Sequence, residues 1–400
     1  MKLERLGNYI KQIRGLSYKP NEIHDEYQEG RIAILKANNI QDNVLDDTDL
    51  IYIDKSKTKT EQKIKKGDIL IAASSGSKEI VGKNIYFRND YEAVFGAFCK
   101  VVRINEKVNS EFISHFFKTP IYKNHIRNSI QGANINNLKN EHIDELKLAI
   151  PSLEEQKHIA VVLSKAEALI AERKQSIQLL DEYLKSTFLE MFGDPEKNPK
   201  NFPFTELQKL CSVIVDCPHS TPVKANEVTN YPCIRTSELT NGYITWDSMQ
   251  YLDEDEYIKR TQRLIPEAGD IVYGREGTYG EAIRIPNTHK FSLGQRTMLF
   301  RPDYKKTDSI FLWAMVRSEF VYKQAKKKNS GSTVGHVNVK DIKQFKVYNP
   351  PLKLQTQFAQ IVEKTEALKA QYKAHLQELE QLYGALSQRA FRGEMRAVGI

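Results

Sequence analysis

Cysteine is scarce in this chain of 400 residues, and the four present stand apart from one another. Cys99, Cys211, Cys217 and Cys233 lie singly, which argues against a disulfide framework. A zinc site is poorly served as well, because Cys211, Cys217, His219 and Cys233 contain no Cys-x2-Cys pair. Long apolar runs are also missing: no stretch approaches the ~18 residues that a membrane-spanning helix needs. Met1-Lys2-Leu3-Glu4 leads straight into an amphipathic pattern rather than an export signal. The expectation is a cytoplasmic protein with no metal and no membrane partner.

Catalytic motifs are lacking too. There is no P-loop, no nucleophile elbow and no paired-histidine metal site. Asn349-Pro350-Pro351-Leu352 is one residue away from the Asn-Pro-Pro-aromatic motif that holds a flipped adenine, but Leu352 stands where the stacking aromatic belongs. No Gly-rich AdoMet turn precedes it, so the prolines read as the opening of a helix. Asp54 with Glu61-Gln62-Lys63 fits a loose metal-nuclease pattern, of a kind that arises by chance in a chain that is 28% charged. The sequence therefore predicts no catalytic residue and no cofactor of its own.

What the chain does have is itself, nearly twice. Pro151-Ser-Leu-Glu-Glu-Gln156 recurs 199 residues later as Pro350-Pro-Leu-Lys-Leu-Gln355. Ala160, Lys165, Glu167 and Ala168 fall on Ala359, Lys364, Glu366 and Ala367, and Leu35-Lys36 meets Ile234-Arg235. Gly67-Asp68, opening an apolar run, matches Gly269-Asp270 at a slightly larger spacing, as loop insertions would produce. Two long copies imply two similar modules with two similar tasks. With 59 Lys+Arg against 51 Asp+Glu and a formal charge of +8, those tasks point mildly toward a polyanionic partner.

Each copy begins with mixed strands and helices and ends in one long helix. The division is residues 1–150, a connector at 151–195, a second module at 196–349 and a second connector at 350–395. In the first connector Ser152 and Glu155 form a capping box, and Leu163, Ile170, Ile177, Leu184 and Met191 recur every seven residues up to Gly193. In the second, Ile361, Leu368, Tyr372, Leu379, Leu382 and Leu386 share a face, Gly384 should weaken or bend the helix, and Gly393 ends it. Arg173 and Lys369 fall on these seams, where they could snorkel. Two amphipathic helices of matching length should bury their seams against each other. The fold class is α+β: two globular α/β domains joined by two long antiparallel coiled-coil helices, with an internal pseudo-two-fold axis. A DNA duplex presents that symmetry to a reader of a divided site. A coiled coil that merely dimerises the chain is the plain alternative.

Residues with DNA chemistry occur in both modules. Lys55, Lys57 and Lys59 alternate, so an extended strand would carry all three ammonium groups on one side. An edge strand protected by lysines has the same pattern. Lys326, Lys327 and Lys328 close a helical pattern and run into Asn329-Ser-Gly-Ser-Thr333, which suits phosphates or base edges; the first module has Gly132 at the matching place. Lys36 and Asn38 in one module stand opposite Arg235 and Thr236 in the other, two different sets for reading bases. Loops carrying His219, Arg275 and Tyr279 complete the candidates, although Pro or Gly turns explain those loops equally well.

Taken together, the Pro-x-Leu-x-x-Gln helix starts, Phe188-Leu-Glu-Met-Phe-Gly-Asp-Pro195, Ala390-Phe-Arg-Gly-Glu-Met395, the Gly-Asp-Ile strands and the Asp216-Cys-Pro-His-Ser-Thr-Pro222 loop resemble the specificity subunit of type I restriction-modification enzymes. The resemblance spans essentially the whole chain in the family's order of recognition domain, helix, recognition domain, helix. It implies a non-catalytic reader of double-stranded DNA, each recognition domain taking one half of an interrupted site. It further implies helices that set the gap and dock two modification subunits, which bind AdoMet and methylate adenine. Restriction subunits using ATP and Mg would join them. A monofunctional methyltransferase or nuclease, revived by AdoMet binding to the isolated chain, and a coiled-coil adaptor without a DNA role are the other classes to be separated.

Overall fold

The computed structural model describes residues 3–41, 43–130, 136–328 and 335–395. The chain forms two compact units: Met1–Gln175 with Ala374–Ile400, and Ser176–Lys373. Each unit thus takes part of both long helices rather than one helix of its own.

In the first unit an antiparallel sheet runs in the order Asn84–Tyr86, Ile69–Ala72, Cys99–Ile104, Ile10–Arg14. A second sheet runs Ala93–Phe95, Arg31–Leu35, Ile51–Asp54, Ile23–His24, with one parallel pair between Ala93–Phe95 and Arg31–Leu35. The second unit repeats the first sheet as Ala282–Arg284, Ile271–Gly274, Thr297–Pro302, Cys211–Asp216. It also keeps the parallel pair, between Pro232–Ile234 and Ser292–Leu293.

The Gly-Asp-Ile strands are buried along their whole length because they separate two cores. Ile69 and Ile71 face the helical core around Phe112 and Phe116, whereas Leu70 and Ala72 face the core shared with the second sheet, around Leu35 and Phe95. Ile271 and Tyr273 against Val272 repeat the arrangement. The Gly-Asp turn has its own reason. Gly67 and Gly269 hold φ of +88° and +92°, and the aspartate that follows is buried and clamped by a bidentate arginine. Arg103 reaches Asp68 at 2.8 and 2.7 Å, and Arg301 reaches Asp270 at 2.9 and 2.8 Å.

The long helices span Leu153–Phe192 and Leu352–Phe391, 40 residues each. The capping box is formed: Ser152 N–H donates to Glu155 Oε2 (3.0 Å) and Glu155 N–H to Ser152 Oγ (3.3 Å). The repeated glutamine ties each helix start to its module. Gln156 donates to Pro151 O (2.8 Å) and accepts from Asn109 N–H (2.7 Å), and Gln355 does the same with Pro350 O and Asp308 N–H, both at 2.8 Å. Gly193 ends the first helix at φ +76°.

Within each unit the two helices run antiparallel. In the first, Phe391 packs on Phe112 and Phe116 with ring centroids at 5.0 and 5.3 Å, and Lys174 pairs with Glu380 at 2.8 Å. In the second, Phe192 packs on Phe311 (4.9 Å) and Phe358 (5.4 Å). A polar cluster reinforces the first unit. His115 is fully buried, its ring nitrogens 3.1 Å from Tyr383 Oη and 3.0 Å from Ser164 Oγ, and burial pushes its pKa down to about 4, leaving the ring neutral. Lys118 and Tyr383 both donate to Glu167.

The seam follows alternating three- and four-residue steps. Leu163 is fully buried; Ile170, Ile177, Leu184, Met191, Ile361, Tyr372, Leu379 and Leu386 are half-buried. Leu368 and Leu382 are off it, 37% and 51% exposed. Lys369 holds the position expected of Leu368. It does not snorkel: its ammonium is paired with Asp181 and donates to Tyr243 Oη at 3.0 Å, so a charge sits in the seam with its partners beside it. The second helix continues through Gly384 as one element, with open space where a Cβ would lie. Gly384→Ala should therefore raise stability by about 1 kcal/mol in denaturant unfolding. A loss of stability would show that the glycine is needed for a bend.

Among the described residues no helix is long and apolar enough to cross a membrane, and no group of His, Cys, Asp and Glu is placed to hold a metal ion.

Candidate nucleic-acid interface

The strand expected to carry three lysines in a row is not a strand. Lys55–Lys57 form a 3-10 turn, and a second turn, Thr60–Gln62, begins after Lys59. The segment has no alternating apolar residues to commit it to a sheet, and Thr58 closes the turn by donating from both N–H (3.1 Å) and Oγ1 (2.8 Å) to Lys55 O. Lys55 then pairs with Glu92 at 2.7 Å and Lys57 with Glu22 at 3.3 Å.

The two modules do place Lys36 and Arg235 alike. Each precedes a 3-10 turn, and its N–H donates to the side chain three residues on: Lys36 to Asn39 (2.8 Å), Arg235 to Glu238 (2.9 Å). Lys36 and Asn38 both reach the exposed Asp49, at 3.1 and 3.5 Å. Arg235 is more occupied. Its guanidinium holds the fully buried Glu238 at 2.6 Å and donates to Ser248 O at 2.8 Å.

In the second unit the loop Gly274–Gly280 gathers most of the remaining candidates. Arg275, 6% exposed, lies 3.0 Å from Asp216, and His219 approaches the other oxygen of that carboxylate at 3.4 Å. Thr278 Oγ1 donates to Thr236 O at 3.4 Å, and Tyr279 stacks on Tyr322 with centroids 5.7 Å apart and planes at 11°. Tyr322 belongs to the helix Glu319–Lys328, whose last turn exposes Lys326, Lys327 and Lys328; Lys328 lies 3.3 Å from Asp341. Thr333 and Gly132 lie outside the described residues.

Two features escaped the sequence. Helix Pro120–Ser129 of the first unit matches Glu319–Lys328 and sets Arg127 where the other has Lys326. Arg127 and Lys123 line a cavity of about 630 Å³ with Lys78 and Lys83, and among the described residues none of these four forms an ion pair. The 199-residue spacing alone could have found Arg127. The second feature is a cavity of about 450 Å³ lined by Gln12, Phe98, Lys100, Asn137 and Asn140. Lys100, 8% exposed, donates to Gln12 Oε1 (3.1 Å) and Asn140 Oδ1 (2.8 Å), and burial pushes its pKa down to about 8. Two neutral acceptors leave one of its three donors for a further partner.

These basic helix ends and polar corners suit phosphates and base edges rather than bond-making chemistry. Comparison with known proteins agrees. Residues 4–181 and 199–381 both match the type I restriction modification DNA specificity domain. The specificity subunit of the type I restriction enzyme EcoKI from Escherichia coli (strain K12) is 29% identical over 408 aligned positions, covering 96% of this chain and 87% of that protein. The StySPI specificity subunit from Salmonella potsdam is 40% identical over 173 residues, 43% of this chain and 37% of that one. Among solved structures, the S subunit of a type I restriction-modification system from M. genitalium shares the fold with a TM-score of 0.59 at 13% identity, covering 98% of this chain and 96% of that one.

Proposed function

This chain belongs to the type I restriction-modification DNA specificity family, and on that premise we propose that its two modules each read one half of an interrupted DNA site. The paired helices set the unread gap and dock two modification subunits. AdoMet sits on those subunits, ATP and Mg on restriction subunits that join the assembly, and the chain itself contributes recognition without catalysis. Its place of work is the cytoplasm, where its DNA lies.

One observation carries this reading. The clamp of Arg103 on Asp68 and the ties of Gln156 recur in the second unit as Arg301 on Asp270 and Gln355, while the exposed polar corners differ. One scaffold with two surfaces is what two half-sites of different sequence require. A mobility-shift titration on random duplex DNA, with modification subunits present, tests it. The complex should bind with a steep salt dependence. Replacing Lys326, Lys327 and Lys328 together with Ala should weaken specific and nonspecific binding alike and lower the log K against log salt slope by ~2 to 3, the lower value if Lys328 stays with Asp341. An unchanged slope would make these lysines a solvated helix end, and a complex with no affinity for DNA would overturn the proposal.

A further inference from the structure

The two units hold one backbone corner in common. In the first, Ala73 N–H donates to Phe98 O (2.8 Å), Leu138 N–H donates to Ala73 O (2.7 Å), and Ser74 pairs with Asn137 across a short ladder. In the second, Arg275 N–H donates to Arg296 O (3.0 Å), Val337 N–H donates to Arg275 O (3.0 Å), and Glu276 bridges His336. These bonds superpose Ser74 on Glu276, Phe98 on Arg296 and Asn137 on His336.

The side chains at this corner share nothing. The first unit shows an exposed Phe98, an exposed Asn137 and a small hydroxyl at Ser74. The second shows Arg296, 56% exposed, with Glu276 at 3.2 Å from it and His336 at 2.9 Å from the same carboxylate. Arg296 also holds φ at +68°, a left-handed conformation that L-residues avoid unless their surroundings impose it. Phosphates are the same in every half-site, so a position serving them has no reason to change from aromatic to cationic. Base edges differ, and a position serving them does.

We infer that this corner is the base-reading element of both modules, Asn137 with Phe98 recognising an A·T pair in one half-site and Arg296 with Glu276 recognising a G·C pair in the other. Asn bridges adenine N6 and N7, and an apolar ring packs on the thymine methyl; Arg bridges guanine O6 and N7, and a carboxylate accepts from cytosine N4. The backbone that carries the phenyl ring is held in place. Phe98 O accepts from both Ala73 N–H (2.8 Å) and Ser74 N–H (3.0 Å), which fixes the backbone beneath an exposed side chain. The assignment rests on the proposed function and adds to it which residues discriminate, and for which pair.

The test uses the full chain with its modification subunits and measures binding to duplexes in which each base pair of the methylated site is varied in turn. Asn137→Ala and Phe98→Ala should each lower discrimination at one A·T position of one half-site by about ten- to hundredfold, leaving the other half-site and the salt slope unchanged. Arg296→Ala should do the same at one G·C position of the other half-site. All three side chains are exposed, and a thermal melt matching the parent confirms folding; Phe98→Tyr and Arg296→Lys serve where a melt is lowered. Variants that weaken every sequence equally with a shallower salt slope, or that discriminate as the parent does, overturn the assignment alone. A parent complex without base preference overturns the proposed function, and this assignment with it.

Discussion

A fragment from Met1 to about Lys197 should fold, pair with a second copy of itself and, with the modification subunit, direct methylation to a palindromic interrupted site built from one half-sequence used twice. The reason lies in the aromatic residues at the helix ends. In the first unit Phe391 fills the space against Phe112 and Phe116. The fragment lacks Phe391, and a phenyl-sized cavity there costs about 3 to 5 kcal/mol. It does carry Phe192, which holds the matching place in the second unit against Phe311. The Phe192 of a second copy therefore supplies the missing ring, and the seam of Leu163, Ile170, Ile177 and Leu184 closes on its own twin. Such a homodimer would relate its two copies by a true two-fold axis. A fragment that is folded but monomeric in analytical ultracentrifugation, or a dimer that methylates only an asymmetric site, would contradict this.

Inserting four residues after Gln175 and four after Lys373 should lengthen the unread gap by one or two base pairs and leave both half-sequences unchanged. Both points fall between the pair Lys174 with Glu380 and the pair Lys369 with Asp181, which mark the antiparallel course of the helices within each unit. Four residues add about one turn, ~6 Å of helix, a little under two base pairs at ~3.4 Å each. Because the insertion exceeds a whole turn by only about 40°, each seam stays directed at its partner. Inserting into one helix alone breaks the match and should abolish methylation. An unaltered gap in the methylated site of the doubly extended chain would show that something other than the helices sets the spacing.

Much of this architecture is legible in the sequence because it is written in periodic or repeated residues. The helix limits follow from Ser152, Glu155, Pro151 and Gly193, whose effects are local. The repeat itself located the Gly-Asp turns and the helix-start glutamines, although only the fold gives Gln156 and Gln355 their task. What failed depended on partners distant in the chain. Sequence alone leaves Lys369 free to snorkel from the seam, because Asp181 and Tyr243, which neutralise and cover it, lie more than a hundred residues away. Lys55, Lys57 and Lys59 alternate as the exposed face of a strand does, but no apolar residue lies between them to fix a register. The corner of Phe98 and Asn137 was invisible for the same reason as Lys369. Its members come from three segments joined only by backbone hydrogen bonds, and neither Phe98 nor Asn137 carries the charge that marks a phosphate contact.

The central claim is that two unlike modules read two unlike half-sites across a fixed gap. Sequencing that maps methylated adenines in a host expressing this chain with its modification subunit tests it most directly. The expected result is one asymmetric bipartite sequence, each half carrying a methylated adenine and the bases between them unrestricted. A single continuous sequence, or a palindrome from the full-length chain, would contradict it.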